Sequence, residues 1–126
     1  MRVLIIGAAG MVGRKLAERL AREGQLGGHE ISGLTLHDVV APVAPAKAGF
    51  QVRCLTGDIA APDETGRLIA DRPDVVFHLA AIVSGEAEQE FDKGYRINLT
   101  ATHNLLESLR HAYAADSRKP RLVFAS

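Results

Sequence analysis

Residues 2–14, RVLIIGAAGMVGR, decide the fold of this chain. A short apolar run from Val3 to Ile6 leads into three glycines, Gly7, Gly10 and Gly13, and the sequence then becomes strongly helical. This order predicts a buried strand, a tight turn and the first turn of a helix. The unpaired N–H groups and the partial positive charge of a helix N-terminus favour a phosphate at such a turn. The stretch therefore predicts a dinucleotide-binding turn; the alternative is that the three glycines serve close packing alone.

Strand-like and helical segments alternate along the rest of the chain. The strand-like runs cover residues 3–6, 32–37, 50–55, 74–79 and 121–125, and the helical ones cover 11–23, 62–70 and 86–111. Pro62 suits the first turn of its helix, and Gly94 marks an interruption in the last one. This alternation predicts an α/β fold, a Rossmann-like doubly wound parallel sheet with strand order 3-2-1-4-5 and helices on both faces. We expect one domain, with Gly27 and Gly28 making the loop after the first helix flexible.

The composition of the chain limits its partners. Of its 126 residues, 47% are hydrophobic and 24% are charged, and 15 basic against 15 acidic residues leave no net charge. A neutral chain without a basic cluster is not expected to bind nucleic acid, and no apolar run is long enough for a membrane span. Cys54 is the single cysteine and is expected to be a small buried side chain. The start has no signal-peptide core, so we expect a cytoplasmic protein, and we expect no metal site.

Asp38, which follows the second strand-like run, is the second informative position. A carboxylate at the end of that strand can accept hydrogen bonds from both hydroxyls of an adenosine ribose. The same carboxylate repels a 2′-phosphate, which favours NAD over NADP as the cofactor. The alternative is a solvated aspartate at a strand end.

Six short motifs, taken in chain order, relate the sequence to a known family. They are GAAGMVG at 7–13, Asp38, GDI at 57–59, HLAA at 78–81, Asn98 and VFAS at 123–126. With these motifs in this order, the chain resembles the extended short-chain dehydrogenase/reductases, also called NAD-dependent epimerase/dehydratases, over all 126 residues. The resemblance implies a Rossmann-like domain with NAD as the cofactor.

The resemblance also implies roles at the adenosine end of the cofactor. The backbone N–H groups of Met11 and Val12, together with the glycine turn, would meet the pyrophosphate. The side chain of Asp58 and the backbone of Ile59 would meet the adenine. The alternative for Asp58 is a plain capping or turn residue.

At the nicotinamide end, the resemblance assigns small and polar residues. Leu79, Ala80 and Ala81 would line the path of the cofactor, and the amide of Asn98 would tie the fourth strand to the cofactor region. The alternative for Asn98 is a polar residue on the outer face of its helix. We interpret His78 as a core histidine rather than a catalytic one.

Residues 80–110 resemble more narrowly the branch of the family typified by D-erythronate dehydrogenase. Enzymes of that branch are understood to oxidise C2 of a four-carbon sugar acid with NAD, giving the 2-keto acid. The resemblance thus implies a small sugar acid as substrate. It also implies Ser84, beside Gly85 and Glu86, as a hydrogen-bonding residue at the substrate end of the cofactor.

The catalytic tyrosine and lysine of the family are missing from this sequence. In that pair the tyrosine stands four residues before a lysine, which lowers the pKa of the phenol. Leu99 stands four residues after Tyr95, and Ser117 four after Tyr113, so neither tyrosine belongs to such a pair. Ser126 is expected to neighbour the family's catalytic serine. We therefore interpret residues 1–126 as the NAD-binding N-terminal part of a longer enzyme, inactive by itself, without the Tyr/Lys pair and the substrate-capping segment.

Three functions remain open at this point. The first is a sugar-acid dehydrogenase, the second a nucleotide-sugar epimerase or dehydratase, and the third a non-catalytic NAD-binding module. The family resemblance further implies a homodimer, with Leu99, Leu106 and Tyr113 as an outer apolar stripe at heptad-like spacing. The alternative is that these three residues pack on the sheet.

Overall fold

A five-stranded parallel sheet forms the centre of the computed structural model, which describes residues 1–80 and 91–125, without the side chains of Lys93 and Arg96. The strands are β1 (Arg2–Ile6), β2 (Gly33–Asp38), β3 (Gln51–Thr56), β4 (Val75–His78) and β5 (Arg121–Phe124). Their spatial order is β3-β2-β1-β4-β5, and each neighbouring pair is parallel. The predicted fold class and strand order are confirmed.

The helices follow β1, β3 and β4 in the chain and pack on the faces of the sheet. They are α1 (Met11–Glu23), α2 (Glu64–Ile69), α3 (Phe91–Tyr95) and α4 (Ala101–Ala112), with a π-helical turn, Arg96–Thr100, joining α3 to α4. The bounds of α1 are those predicted, and the interruption expected near Gly94 is the π-helical turn. The prediction that Pro62 begins a helix is wrong, because Asp63 has a left-handed backbone, with φ of 65°, and α2 starts after it. Residues 86–90 of the predicted long helix lie outside the described residues.

Both faces of the central strands β1 and β4 are buried, as expected for parallel strands covered by helices, whereas the edge strands β3 and β5 are largely exposed. Alternate residues of β1 point to opposite faces. Val3 and Ile5 pack with Leu20 of α1, whereas Leu4 and Ile6 pack with residues of α2 and α4. Within the described ranges, no helix is long and apolar enough to cross a membrane.

The Gly27-Gly28 segment is an ordered turn rather than a flexible loop. Two short strands, Gln25–Leu26 and His29–Glu30, pair antiparallel on either side of it. The φ angles of Gly27 and Gly28 are 58° and 82°, the left-handed conformations that a two-residue hairpin turn requires. The sequence reading missed this hairpin because each strand has only two residues.

Two side chains lie where the sequence reading did not expect them. Cys54 is exposed because β3 lies at the edge of the sheet, where the side chains of this strand are exposed or only partly covered. Tyr113 is buried in the core instead of joining an outer stripe with Leu99 and Leu106, which are exposed. Tyr113 lies four residues after Leu109 and donates its N–H to the Leu109 carbonyl at 3.1 Å, so it continues the buried side of α4 into the core.

Candidate functional site

The glycine turn lies where the carboxyl ends of β1, β2 and β4 meet. The N–H groups of Gly7 and Ala8 both donate to the carbonyl of His37, at 2.8 and 3.0 Å. Gly7 has a φ of 92°, and a Cβ placed on it would lie 2.6 Å from the backbone nitrogen of Ala80. Only glycine allows this left-handed conformation and this close approach to the end of β4. The fold thus brings the start of the turn against the predicted Leu79-Ala80 path.

The other two glycines of the turn, Gly10 and Gly13, differ in the space available for a side chain. A Cβ on Gly13 would overlap the carbonyl oxygen of Gly7 and lie 2.8 Å from Cα of Ala8, so α1 can pack on the turn only with glycine there. A Cβ on Gly10 would have a single ordinary contact, 3.5 Å from the carbonyl oxygen of Gly7. Packing therefore explains Gly7 and Gly13 but does not require Gly10. The side of Gly10 that a Cβ would fill is open.

The N-terminus of α1 is open to solvent beside Gly10. The side chains of Met11 and Val12 are exposed to 73% and 60%. The first turn of α1, which the structure describes in full, contains no acidic residue and has no side-chain cap. The first N–H groups of a helix have no carbonyl partner within it, and they carry the positive end of the helix dipole. This end of α1 can therefore accept an anion such as a phosphate.

Asp38 lies against the same turn at the end of β2. Its Oδ2 accepts a hydrogen bond from the N–H of Ala9 at 2.8 Å, and its Oδ1 accepts one from the N–H of Val39 at 2.7 Å. An ionised carboxylate has about four acceptor positions, so these two bonds leave capacity for hydroxyl donors. Asp38 is thus a fixed acceptor beside the helix N-terminus rather than a freely solvated side chain.

The segment 57–63 runs alongside, from the end of β3 to the start of α2. The N–H of Gly57 donates to the carbonyl of Asp38 at 3.0 Å. Asp58 forms a side-chain turn, its Oδ1 accepting from the N–H of Ala60 at 2.9 Å, and Ile59 is buried. Asp58 thus stabilises a turn that begins beside Asp38, and its contact with the adenine stays a prediction.

A partly buried polar pair, buried His37 with Glu64 at the end of this segment, was missed by sequence reasoning. Nε2 of His37 lies 2.8 Å from Oε1 of Glu64, and the same carboxylate forms an ion pair with Arg67 at 2.7 Å. The hydrogen bond from Arg67, and to a smaller extent the one from His37, lowers the pKa of Glu64, although burial by itself raises it. The signal in the sequence is a histidine within an apolar strand, which needs a polar partner when buried. Its partner is 27 residues away, and only the tertiary fold identifies it.

His78 links β4 to the π-helical turn. Its Nε2 lies 3.0 Å from Oγ1 of Thr102, and that hydroxyl donates to the carbonyl of Asn98 at 3.2 Å. Because Thr102 uses its one proton on Asn98, Nε2 of His78 carries the hydrogen of their bond. Burial lowers the pKa of His78, which favours the neutral ring. His78 is thus a core histidine, and Asn98 is connected to β4 through its carbonyl.

The remaining predicted site residues divide into described and undescribed ones. The N–H of Leu79 donates to the carbonyl of Ile6 at 2.8 Å, which keeps Leu79 and Ala80 beside the glycine turn. The other predicted residues lie outside the described residues: Ala81, Ser84, Gly85, Glu86 and Ser126.

Neither tyrosine of the chain is arranged as a proton shuttle. The hydroxyl of Tyr113 donates to the carbonyl of Pro73 at 2.6 Å, and burial raises the pKa of the phenol. Tyr95 is exposed, and its ring lies 6.2 Å from that of Phe91. This arrangement agrees with the sequence pattern, in which neither tyrosine precedes a lysine by four residues.

The described residues fit the adenosine diphosphate part of a dinucleotide. The unpaired N–H groups at the start of α1 are donors for phosphate oxygens, and the open side of Gly10 gives a phosphate access to them. The carboxylate of Asp38 is an acceptor for ribose hydroxyls. Donors for the pyrophosphate and an acceptor for the ribose thus lie together at the glycine turn.

Comparisons with known proteins agree with this geometry. A model of the NAD dependent epimerase/dehydratase family matches residues 3–126. The chain is 43% identical to a D-erythronate dehydrogenase from Cupriavidus necator, over 100% of this chain and 38% of that protein. It is 55% identical to a nucleoside-diphosphate-sugar epimerase from Agrobacterium tumefaciens, whose crystal structure has a TM-score of 0.95 and is matched over 37% of its length and 100% of this chain. A uronate dehydrogenase from Agrobacterium tumefaciens, in a complex with NAD, is 32% identical, with a TM-score of 0.73, over 99% of this chain and 40% of that one.

The chain spans less than two fifths of the length of the curated relative, 38%, and of the epimerase structure, 37%. The resemblance inferred from the six motifs is confirmed, as is NAD as the cofactor of the family. Since the family model covers residues 3–126, nearly the whole sequence, the chain belongs to the NAD dependent epimerase/dehydratase family.

Proposed function

We propose that this chain is the NAD-binding N-terminal part of a longer oxidoreductase that acts on a small sugar acid. The observation that carries NAD binding is the uncapped N-terminus of α1, open beside Gly10 and flanked by the fixed carboxylate of Asp38. The similarity to a D-erythronate dehydrogenase, at 43% identity, supports the substrate class.

Each part of the turn has a task in this proposal. The backbone N–H groups of Met11 and Val12 hold the pyrophosphate, and Gly10 lets it come close to them. Asp38 accepts hydrogen bonds from the adenosine ribose and repels a 2′-phosphate, so NAD is preferred over NADP. Bound NAD supplies a hydride acceptor.

The two ends of the cofactor meet different segments. Asp58 and Ile59 stand at the adenine end, in the turn that begins beside Asp38. Leu79 and Ala80 stand at the nicotinamide end, and Asn98 is tied to β4 through Thr102 and His78. The assignments of Ala81 to the cofactor path, of Ser84 to substrate binding and of Ser126 as a neighbour of the catalytic serine stay predictions.

The proposed reaction is the oxidation of C2 of a D-erythronate-like sugar acid to the 2-keto acid. The C2 hydrogen leaves with its electron pair to the cofactor, and the hydroxyl proton leaves to a base. No Tyr-x-x-x-Lys pair occurs in these 126 residues, so we assign that base to the remainder of the enzyme.

A nucleotide-sugar epimerase or dehydratase is the second candidate function. It is favoured by the 55% identity to a protein described as a nucleoside-diphosphate-sugar epimerase. Both candidates need the same bound cofactor. They differ in whether reduced cofactor accumulates as a product.

An assay of the full-length protein with NAD separates the candidates. We expect D-erythronate to give stoichiometric NADH, followed by absorbance, and a product two hydrogens lighter by mass spectrometry. Interconversion of UDP-glucose and UDP-galactose without net NADH would instead establish the epimerase. Tight NAD binding with no turnover of either substrate would favour a non-catalytic module and overturn the proposed activity. Gly10→Val is the matched control, since it is expected to lose NAD binding and any activity that depends on it.

The assembly and location of the full-length protein belong to the same proposal. Four apolar residues on the outer side of the α3–α4 segment are exposed: Phe91, Tyr95, Leu99 and Leu106. They support a homodimer formed through this segment. We also propose a cytoplasmic location. Light scattering tests the dimer: we expect twice the subunit mass, and a monomeric mass at micromolar concentration would overturn it.

A further inference from the structure

The segment 57–63 is fastened at both ends to two consecutive residues of β2. At its start, the N–H of Gly57 donates to the carbonyl of Asp38 at 3.0 Å. At its end, Glu64 reaches back so that Oε1 lies 2.8 Å from Nε2 of His37. The position of Asp58 and Ile59 therefore depends on both attachments.

His37 joins this segment to the glycine turn. Its backbone carbonyl accepts the N–H groups of Gly7 and Ala8, while its ring, 1% exposed, holds the carboxylate of Glu64. A carboxylate only accepts, so Nε2 of His37 carries the hydrogen and donates it. A buried donor that loses its acceptor pays the full desolvation penalty, which makes this bond hard to replace.

The sequence also makes room for Glu64. A Cβ on Gly57 would overlap Oε1 of Glu64 and lie 2.9 Å from its Cδ. Gly57 has a φ outside the left-handed region, so its backbone does not require glycine. Its lack of a side chain is needed because the carboxylate of Glu64 occupies that space.

We propose that Glu64 is a positioning residue for the adenine end of the cofactor: through His37 it fastens the segment 57–63 to β2, and Gly57 provides the space in which it does so. The inference rests on the proposed function, because it takes Asp58 and Ile59 as the adenine contacts. Arg67, which is 47% exposed, donates to the same carboxylate, at 2.7 Å to Oε1, and we expect the bond between Glu64 and His37 to form without it.

The test measures the two halves of the cofactor separately. Calorimetry on the full-length protein gives the dissociation constants of AMP and of nicotinamide mononucleotide for the wild type, Glu64→Ala, Glu64→Gln and Arg67→Ala. We expect Glu64→Ala to weaken AMP binding about five- to tenfold, the size expected when the buried ring of His37 loses its acceptor, and to leave the affinity for nicotinamide mononucleotide unchanged. Glutamine keeps an acceptor for His37, so Glu64→Gln is expected to stay within about twofold of the wild type, as is Arg67→Ala.

If Glu64 only stabilised the fold, Glu64→Ala would weaken the binding of AMP and of nicotinamide mononucleotide equally, and that result would overturn the proposal. Unchanged AMP binding in a folded Glu64→Ala protein would overturn it as well. A wild type that binds neither NAD nor AMP would instead refute the proposed function.

Gly57→Ala provides an independent variant if Glu64→Ala does not fold. Its methyl group displaces the carboxylate of Glu64 sterically, so we expect the same selective loss of AMP affinity. In the double variant Gly57→Ala/Glu64→Ala the two losses are expected not to add, because both break one attachment. Full additivity would contradict the proposed link between Gly57 and Glu64.

Discussion

Gly13→Ala is expected to lower the stability of the fold, whereas Gly10→Ala is expected to lower the affinity for NAD. In Gly13→Ala the added Cβ overlaps the Gly7 carbonyl oxygen and lies 2.8 Å from Cα of Ala8, both backbone atoms that cannot swing away. Overpacking of this kind costs ~1–3 kcal/mol, offset by ~1 kcal/mol from the higher helix propensity of alanine. We therefore expect Gly13→Ala to lower the free energy of unfolding by up to ~2 kcal/mol.

Gly10→Ala is expected to leave stability nearly unchanged. Its Cβ makes an ordinary 3.5 Å contact, and the φ of −73° is open to any residue. The smaller entropy of the unfolded chain stabilises by ~0.4–1 kcal/mol, and alanine is a poorer helix N-cap by a similar amount. The methyl group instead enters the space through which a pyrophosphate approaches α1, so NAD affinity is expected to fall about tenfold, or ~1.4 kcal/mol.

Urea unfolding followed by circular dichroism, with calorimetric titration of NAD, measures both quantities on the full-length variants. Equal losses of stability in the two variants, or unchanged NAD affinity in Gly10→Ala, would refute the division of the turn into packing and binding glycines.

Three further substitutions probe separate features of the chain. Gly10→Val, with a larger side chain in the same space, is expected to abolish NAD binding in calorimetry without unfolding the protein; normal binding would make the turn structural only. Tyr113→Phe removes the hydrogen bond to Pro73 and is expected to lower the unfolding free energy by about 1 kcal/mol in urea while NAD affinity stays unchanged. Burial holds the pKa of His78 in the folded protein below its unfolded value of about 6.5. As the pH falls below about 6.5, the unfolded chain therefore takes up a proton before the folded protein does. The free energy of unfolding decreases until the pH reaches the folded pKa. His78→Gln is expected to flatten this loss in unfolding curves measured from about pH 8 to 5, and a parallel loss in both proteins would contradict it.

The central part of the fold follows from local sequence patterns. The bounds of α1 are predictable because its buried residues recur at helical spacing and Gly24, with φ of 68°, ends it within the same segment. The parallel sheet follows from the alternation of strands and helices, and its order is the one typical of dinucleotide-binding sheets with a glycine turn after the first strand. The glycine turn was predicted from the chemistry of three residues and is found at the carboxyl ends of the strands, as expected.

The features that the sequence did not predict depend on tertiary contacts between segments that are distant in the chain. Cys54 occupies a strand-like run, but only the sheet order reveals that this strand is an edge. Tyr113 fits a heptad spacing with Leu106, but it also lies four residues after Leu109, on the side of α4 that packs in the core. The bond between His37 and Glu64 joins residues far apart in sequence, so no local pattern indicates it.

The affinity of the full-length protein for NAD and NADP, compared with that of Asp38→Ala, tests the central claim most directly. Calorimetry is expected to show that the wild type binds NAD and strongly prefers it to NADP. Asp38→Ala is expected to bind NAD more weakly and to lose that preference, because the acceptor for the ribose hydroxyls and the charge that repels a 2′-phosphate are both removed. Unchanged affinities for both cofactors in a folded Asp38→Ala protein would contradict the account.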